Sequence, residues 1–184
     1  MSNTDWKKEY CDEHGVIYIR PMTYDDAETF VNWRNSDAIK KFFIYREKFT
    51  TEGQIEWMKN NIDTGKAQSM IVCLTENDRP IGCVYFLNID KVHKKAEYGV
   101  LIGEADARGK GYGTKIAKIM LRYGFHALGL HRIYLRALEG NDRAVRTYEN
   151  AGFRREGFLR GDVCIDGEFR NVIWMAALAE DFEE

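Results

Sequence analysis

The sequence predicts a single α/β domain whose mixed, largely antiparallel twisted sheet is flanked by helices, and three observations predict it. Strand-like and helix-like segments follow one another as β-α-α-α-β-β-β-α-β-α-β-β, with no repeat, low-complexity tract or linker between them. Only one crossover has an obvious parallel reading: the strand at 96–102, the helix after it and the strand at 132–138. The 184 residues are 45% apolar and 30% charged, the composition of one soluble domain with a sizeable core.

Residues 1–15 are polar and read as a loose lead-in, which leaves 16–184 as the domain. Val16 to Arg20 is β-branched and aromatic, a first strand stopped by Pro21. Thr23 then caps a helix with Asp25 and Asp26 in its first turn and Ala27, Phe30, Val31 and Trp33 on its apolar side. A short helix over Ser36 to Phe43 and a third from Thr51 to Gly65 follow, the latter placing Ile55, Met58 and Ile62 on one face. Met70 to Leu74 and Ile81 to Phe86 form a hairpin around the turn-rich stretch Glu76 to Pro80. Ala96 to Ile102 alternates as a strand. Ile116, Ala117, Met120, Leu121, Gly124, Phe125 and Leu128 then recur at helical spacing, and Gly129 closes that helix. Arg132 to Leu138 is the next strand, Asn141 to Ala151 the last helix. Phe153 to Arg160 and Glu168 to Leu178 make a final antiparallel pair with Asp166-Gly167 at its turn.

Between the strand at 96–102 and its helix stands Ala107-Arg108-Gly109-Lys110-Gly111-Tyr112-Gly113-Thr114. Glycines here let successive N–H groups face one concavity, and the helix start adds unpaired donors and partial positive charge. Such a turn suits a phosphate or pyrophosphate, and Arg108 and Lys110 strengthen that reading. The spacing is neither G-x-G-x-x-G nor G-x-x-x-x-G-K-[ST]. It is Arg-x-x-Gly-x-Gly ahead of an amphipathic helix. A second motif follows about 30 residues on, where Asn141, Val145 and Tyr148 share one helix face before Gly152-Phe153. From spacing alone, Asn141 also reads as a helix cap and Tyr148 as half-buried core.

Together, Arg-Gly-Lys-Gly-Tyr-Gly and Asn-x-x-Ala-x-x-x-Tyr-x-x-x-Gly-Phe resemble the paired motifs of the GNAT superfamily of N-acetyltransferases, over roughly residues 16–178. The resemblance implies the GNAT fold and acetyl-CoA as cosubstrate. It implies that Val100, Leu101 and Ile102 pair their backbone with the pantetheine arm, and that Arg108, Gly109, Lys110, Gly111, Tyr112, Gly113 and Thr114 hold the pyrophosphate. It also implies that Asn141 contacts the arm and that Tyr148 reaches the sulfur. An amine must lose a proton, attack the thioester and expel a thiolate. A tyrosine hydroxyl can protonate that thiolate. Glu97, at the start of the same strand and sharing parity with Gly99 and Leu101, is the candidate base; an ordinary strand-edge carboxylate is the other reading.

The acceptor expected is a small-molecule amine. Val31 to Asn35, Phe49 to Glu52 and Pro80 to Asp90 resemble nucleotide-linked amino-sugar N-acetyltransferases of the pseudaminic acid pathway. Val92 to Tyr98 and Asp166 to Asn171 resemble spermidine N-acetyltransferases, and Leu130 to Leu135 fits the branch that also holds ribosomal-protein acetyltransferases. Arg34, Lys40, Lys41, Arg46 and Lys48, interleaved with Phe42, Phe43 and Tyr45, favour an anionic, ring-bearing acceptor, with Trp33, Arg34 and Arg46 as its contacts. A polyamine would want carboxylates instead. A protein N-terminus as acceptor, and a non-catalytic acetyl-CoA sensor, are the readings from other classes.

A formal net charge of −2 implies no general attraction to nucleic acid or an anionic membrane, and no apolar run approaches the ~20 residues that span a bilayer. The first residues lack the apolar core of a secretion signal. Cys11, Cys73, Cys83 and Cys164 are scattered, and the four histidines form no ligand spacing with them. Free thiols, no metal and a cytoplasmic location are the expectation. Whether copies of the chain associate is left open by the residues.

Overall fold

A computed structural model describes residues 2–182. Its centre is one seven-stranded sheet in the order β1-β2-β3-β4-β5-β7-β6. The strands are β1 (Ile17–Pro21), β2 (Gln68–Leu74), β3 (Pro80–Asp90), β4 (Lys95–Ile102), β5 (Arg132–Leu138), β6 (Arg154–Ile165) and β7 (Glu168–Leu178). All neighbours are antiparallel except β4 and β5, as the single crossover requires.

The helices are α1 (Asn3–Glu9), α2 (Ala27–Asn35), α3 (Asp37–Lys40), α4 (Thr51–Asn61), α5 (Tyr112–Arg122) and α6 (Asp142–Asn150). Two cores divide between the faces of the sheet. On one, Phe86, Tyr98, Ile116, Met120, Ile133, Leu135 and Val145 join the sheet to α5 and α6. On the other, Tyr18, Ile71, Cys83 and Leu101 pack against Phe30, Val31, Trp33 and Met58 of α2 and α4. Strand alternation sorts these sets, since neighbours along a strand face opposite ways.

Three expectations need correcting. Residues 1–15 are not a loose lead-in: Ser2 and Asp5 form a capping box at the start of α1, and the Trp6 and Tyr10 rings pack on Tyr123. Behind α1, the buried Asp12 carboxylate accepts from the N–H groups of Val16 and Ile17 and from the Lys115 ammonium at 2.6 Å. The helix expected over Ser36 to Phe43 stops at Lys40. The Arg46 guanidinium captures the Lys41 and Phe43 carbonyls, so the chain leaves the helix. The α5 stripe runs as expected through Phe125, but a wider π turn over Tyr123–Ala127 rotates Leu128 out to 36% exposure.

The remaining differences are lengths: β3 and β6 extend beyond their predicted ends. Asp166 and Gly167 do form the β6–β7 turn, both with positive φ, at 52° and 84°. Among the described residues the four cysteines are free, and no group of three or more His, Cys, Asp or Glu side chains is arranged to hold a metal ion. Among them, too, no helix is long and apolar enough to cross a membrane.

Candidate active site

The site begins where two parallel strands part. β4 and β5 pair only at Lys95, Ala96 and Glu97, opposite Arg132, Ile133 and Tyr134. β4 then continues to Ile102 and β5 to Leu138 without pairing, while each keeps its outer neighbour, β3 or β7. Beyond Glu97 the inner edge of β4 therefore presents unpaired backbone groups to a cleft of about 580 Å³. Val100, Leu101 and Ile102 line it, with Ala137 and Leu138 of β5 opposite.

The glycine loop floors one end. Gly109 and Gly111 take φ of 81° and 78°, the left-handed region that favours glycine, and Gly111 is the N-cap of α5. Among the described residues, the N–H groups of Gly109, Lys110 and Gly111 have no protein partner. The first-turn N–H groups of α5 are unpaired by helix geometry, so adjacent donors converge on the cleft. Gly113 serves packing: a Cβ there would sit 2.9 Å from Thr147 Cγ2, so its absence lets α5 approach α6.

Arg108 does something other than expected. Its Nε donates to the Ile102 carbonyl at 3.0 Å and its Nη2 to that of Gly103 at 2.5 Å. The side chain braces the loop against the end of β4 instead of standing free for a phosphate. Arg108, Gly109, Gly111, Tyr112, Gly113 and Thr114 all line the cleft; Lys110 is exposed and does not.

α6 forms the opposite wall. Asn141 sits at its N-cap but makes no capping hydrogen bond, which leaves its side chain for the cleft that it lines. Tyr148, two turns on, also lines the cleft, its ring edge-on to Tyr98 with centroids 5.9 Å apart. Burial pushes the Tyr148 hydroxyl up to about 12, so it keeps its proton at neutral pH. Tyr98 is buried, its hydroxyl has no partner, and burial drives its ionisation well above the ordinary tyrosine range.

Glu97 lies in the cleft on the other side of the sheet from Tyr148, with the parity of Gly99 and Leu101. Its Oε1 accepts from Arg136 Nε at 2.8 Å and its Oε2 from Asn88 Nδ2 at 3.1 Å. Tyr85 covers Gly99 so closely that a Cβ would fall 2.2 Å from its ring. Phe42, Phe43, Ile44 and Tyr45 complete this end of the lining.

The three residues expected to meet the acceptor do not line the cleft. Trp33 is 6% exposed, packs against Gly103 and donates to Glu104 Oε1 at 2.8 Å, supporting the end of β4 from behind. Arg34, also 6% exposed, lies between the Phe43 and Phe49 rings and donates to the Tyr45 carbonyl. Arg46 is tied to Asp166 at 2.7 Å. What reasoning from the residues missed is Tyr85, Tyr98 and Arg136. Arg136 had a signal: an arginine in register with Arg132 and Tyr134 on a strand whose other face is Ile133, Leu135 and Ala137.

The free β4 edge and the N–H groups of the glycine loop suit an extended ligand that ends in a pyrophosphate, with half-buried Tyr148 beside the gap, which is the class of an acyl-coenzyme A-dependent transferase. The family model described as an acetyltransferase (GNAT) domain matches residues 17–154, and the chain belongs to this family. Spermidine N(1)-acetyltransferase of Escherichia coli (strain K12) is 27% identical over 168 residues, covering 90% of this chain and 88% of that protein. Spermidine N(1)-acetyltransferase of Vibrio cholerae is 27% identical over 166 residues, covering 90% and 95%. The crystal structure of spermidine N-acetyltransferase from Vibrio cholerae with CoA and spermine superposes with a TM-score of 0.84. It is 26% identical and covers 90% of this chain and 96% of that one. A dodecameric structure of the Vibrio cholerae enzyme is among the similar folds. The chain is thus an N-acetyltransferase that takes its acetyl group from acetyl-CoA.

Proposed function

We propose that the enzyme transfers acetyl to a primary amine of a small polyamine by direct attack in a ternary complex, with Tyr148 as acid and Glu97 as base. One observation carries the acceptor class: the acceptor end of the cleft is aromatic and apolar around the Glu97 carboxylate, and among the described residues that line it the one cation, Arg136, is already paired to Glu97. The arginines that an anionic acceptor would need are spent elsewhere, Arg34 between two rings and Arg46 on Asp166. Aromatic faces such as those of Phe42, Phe43, Tyr45 and Tyr85 suit an ammonium group on an aliphatic chain. The spermidine acetyltransferases among the relatives support the same class.

Acetyl-CoA supplies the activated thioester. The N–H groups from Gly109 onward would hold its pyrophosphate, and the free inner edge of β4 its pantetheine arm. Backbone donors near Val100 and Leu101 would stabilise the developing oxyanion. Glu97 accepts a proton from the incoming ammonium on one side of the sheet. Tyr148 gives its proton to the departing sulfur on the other, and is restored through water by the second proton that the nitrogen loses as the amide forms. Attack through the gap between β4 and β5 keeps the two proton transfers apart.

A nucleotide-linked amino sugar is the second reading. What favours it is the rim of the cleft, where Phe42 and Tyr45 are 52% and 60% exposed and the Lys41 ammonium lies 5.0 Å from the Phe42 ring centre. Thiol release from acetyl-CoA, followed against spermidine, spermine, nucleotide-linked amino sugars and peptide N-termini, tests both. Turnover of the polyamines alone is expected. Turnover confined to the amino sugar would transfer the assignment to the rim residues.

A further inference from the structure

The ion pair at the apex of the cleft has a geometry that a simple strand tie would not need. Glu97 is the last residue of β4 to pair with β5, and Arg136 stands two residues beyond its partner Tyr134. Their side chains are 13% and 22% exposed, so the pair bridges the strands just where backbone pairing stops. Asn88 of β3 holds the second carboxylate oxygen. Each oxygen thus has one donor, one from either side, and each retains further acceptor capacity. Burial pulls Arg136 down, but the Glu97 carboxylate, with Tyr45, outweighs this and raises it, so it stays cationic. The other charged or titratable groups around Glu97 are Tyr134 on β5, Tyr85 on β3 and Lys95 on its own strand.

We propose that Arg136 is a positioning residue for amine deprotonation: its Nε–H, 2.8 Å from Glu97 Oε1, aims the Glu97 carboxylate at the acceptor. This rests on Glu97 being the base. Two protons leave the acceptor nitrogen: the first passes from the ammonium to Glu97 before attack and on to solvent as product leaves, the second is lost after attack and balances the one that Tyr148 gives to sulfur; Arg136 stays protonated throughout.

The test is kcat and acceptor KM, taken separately, for wild type, Arg136→Met, Arg136→Lys and Glu97→Gln, with coenzyme affinity by calorimetry and melting temperature for each. Arg136→Met should lower kcat about ten-fold, with a melting temperature close to that of wild type. Arg136→Lys, which keeps a donor for Glu97, should return most of that loss, and coenzyme affinity should stay within a few-fold. Where Arg136→Met fails to fold, Arg136→Ala gives the same readout. A fall in kcat that follows a lowered melting temperature and that Arg136→Lys does not reverse would make Arg136 a strand tie only and overturn the proposal. An unaltered rate in Glu97→Gln would remove the base assignment itself, and this is visible whatever Arg136 does.

Discussion

The guanidinium carbon of Arg34 lies 3.7 Å from the centre of the Phe43 ring, with Phe49 closing its other side at 4.6 Å. Arg34 also donates to the Tyr45 carbonyl, and its neighbour Asn35 makes two hydrogen bonds to the Phe49 backbone. The irregular segment that supplies the aromatic wall of the cleft is therefore pinned by the end of α2. Burial lowers Arg34, opposed by Tyr85 and Glu47, and the two rings lie against its charge.

Arg34→Met should accordingly raise the acceptor KM about ten-fold, through a loosened Phe42–Tyr45 wall, while coenzyme affinity changes little. Added salt should not mimic this effect in wild type, because a buried contact is weakly screened. KM measured at low and high ionic strength in both proteins checks it. A wild-type KM that climbs steeply with salt would place Arg34 on the acceptor's own charge.

Two glycines of the loop should separate under mutation. Gly111→Val meets no atom within 4 Å but must hold φ near 78°, at a cost of about 1–2 kcal/mol, and its side chain would cover the free N–H groups. Coenzyme binding by calorimetry should fall more than a hundred-fold in a protein that still melts cooperatively. Gly113→Val instead collides with Thr147 and should lower the melting temperature more than Gly111→Val does.

Tyr98→Phe removes a buried hydroxyl that has no partner. Leaving such a group unsatisfied costs about 1–3 kcal/mol, so the variant should be as stable as wild type or more so. Chemical denaturation gives the sign directly. A loss above about 1 kcal/mol would mean that the hydroxyl is hydrogen-bonded in solution.

Asp12 links α1 and β1 to α5, and its titration has a definite sign. Burial pushes its carboxyl up, but the Ile17 N–H, the Lys115 ammonium and the Val16 and His14 N–H groups outweigh burial and hold it below the ordinary value. A depressed folded-state value stabilises the fold above the unfolded carboxyl's range and is lost as pH falls through the folded one. Asp12→Asn should therefore be clearly destabilised at pH 7, and its deficit against wild type should narrow below about pH 4. Urea midpoints at the two pH values measure this. A deficit that is constant with pH would assign the effect to packing.

The sequence carried the sheet well because its signals are local. Alternation in Arg132 to Leu138, the two positive-φ residues of the Asp166-Gly167 turn and the stripe of α5 each report on a few neighbouring residues. The coenzyme side of the cleft was legible for the same reason, being one loop and one helix face. The acceptor side was not. Trp33 and Arg34 look like binding residues by type, but only the placement of Gly103, Phe43 and Phe49 from distant parts of the chain shows them spent on support. The N-terminal helix was missed because residues 1–15 are polar, and the partner of the Trp6 and Tyr10 rings, Tyr123, lies over a hundred residues away.

The central claim is that Tyr148 protonates the leaving sulfur in a cleft built to hold acetyl-CoA. The most direct measurement is the single-turnover rate of thiol release in Tyr148→Phe, with coenzyme affinity measured on the same sample. Loss of a positioned general acid costs about 10²–10⁴ in rate, so a fall of at least a hundred-fold with affinity unchanged within a few-fold is predicted. A rate equal to that of wild type, in a folded protein that binds coenzyme normally, would contradict it.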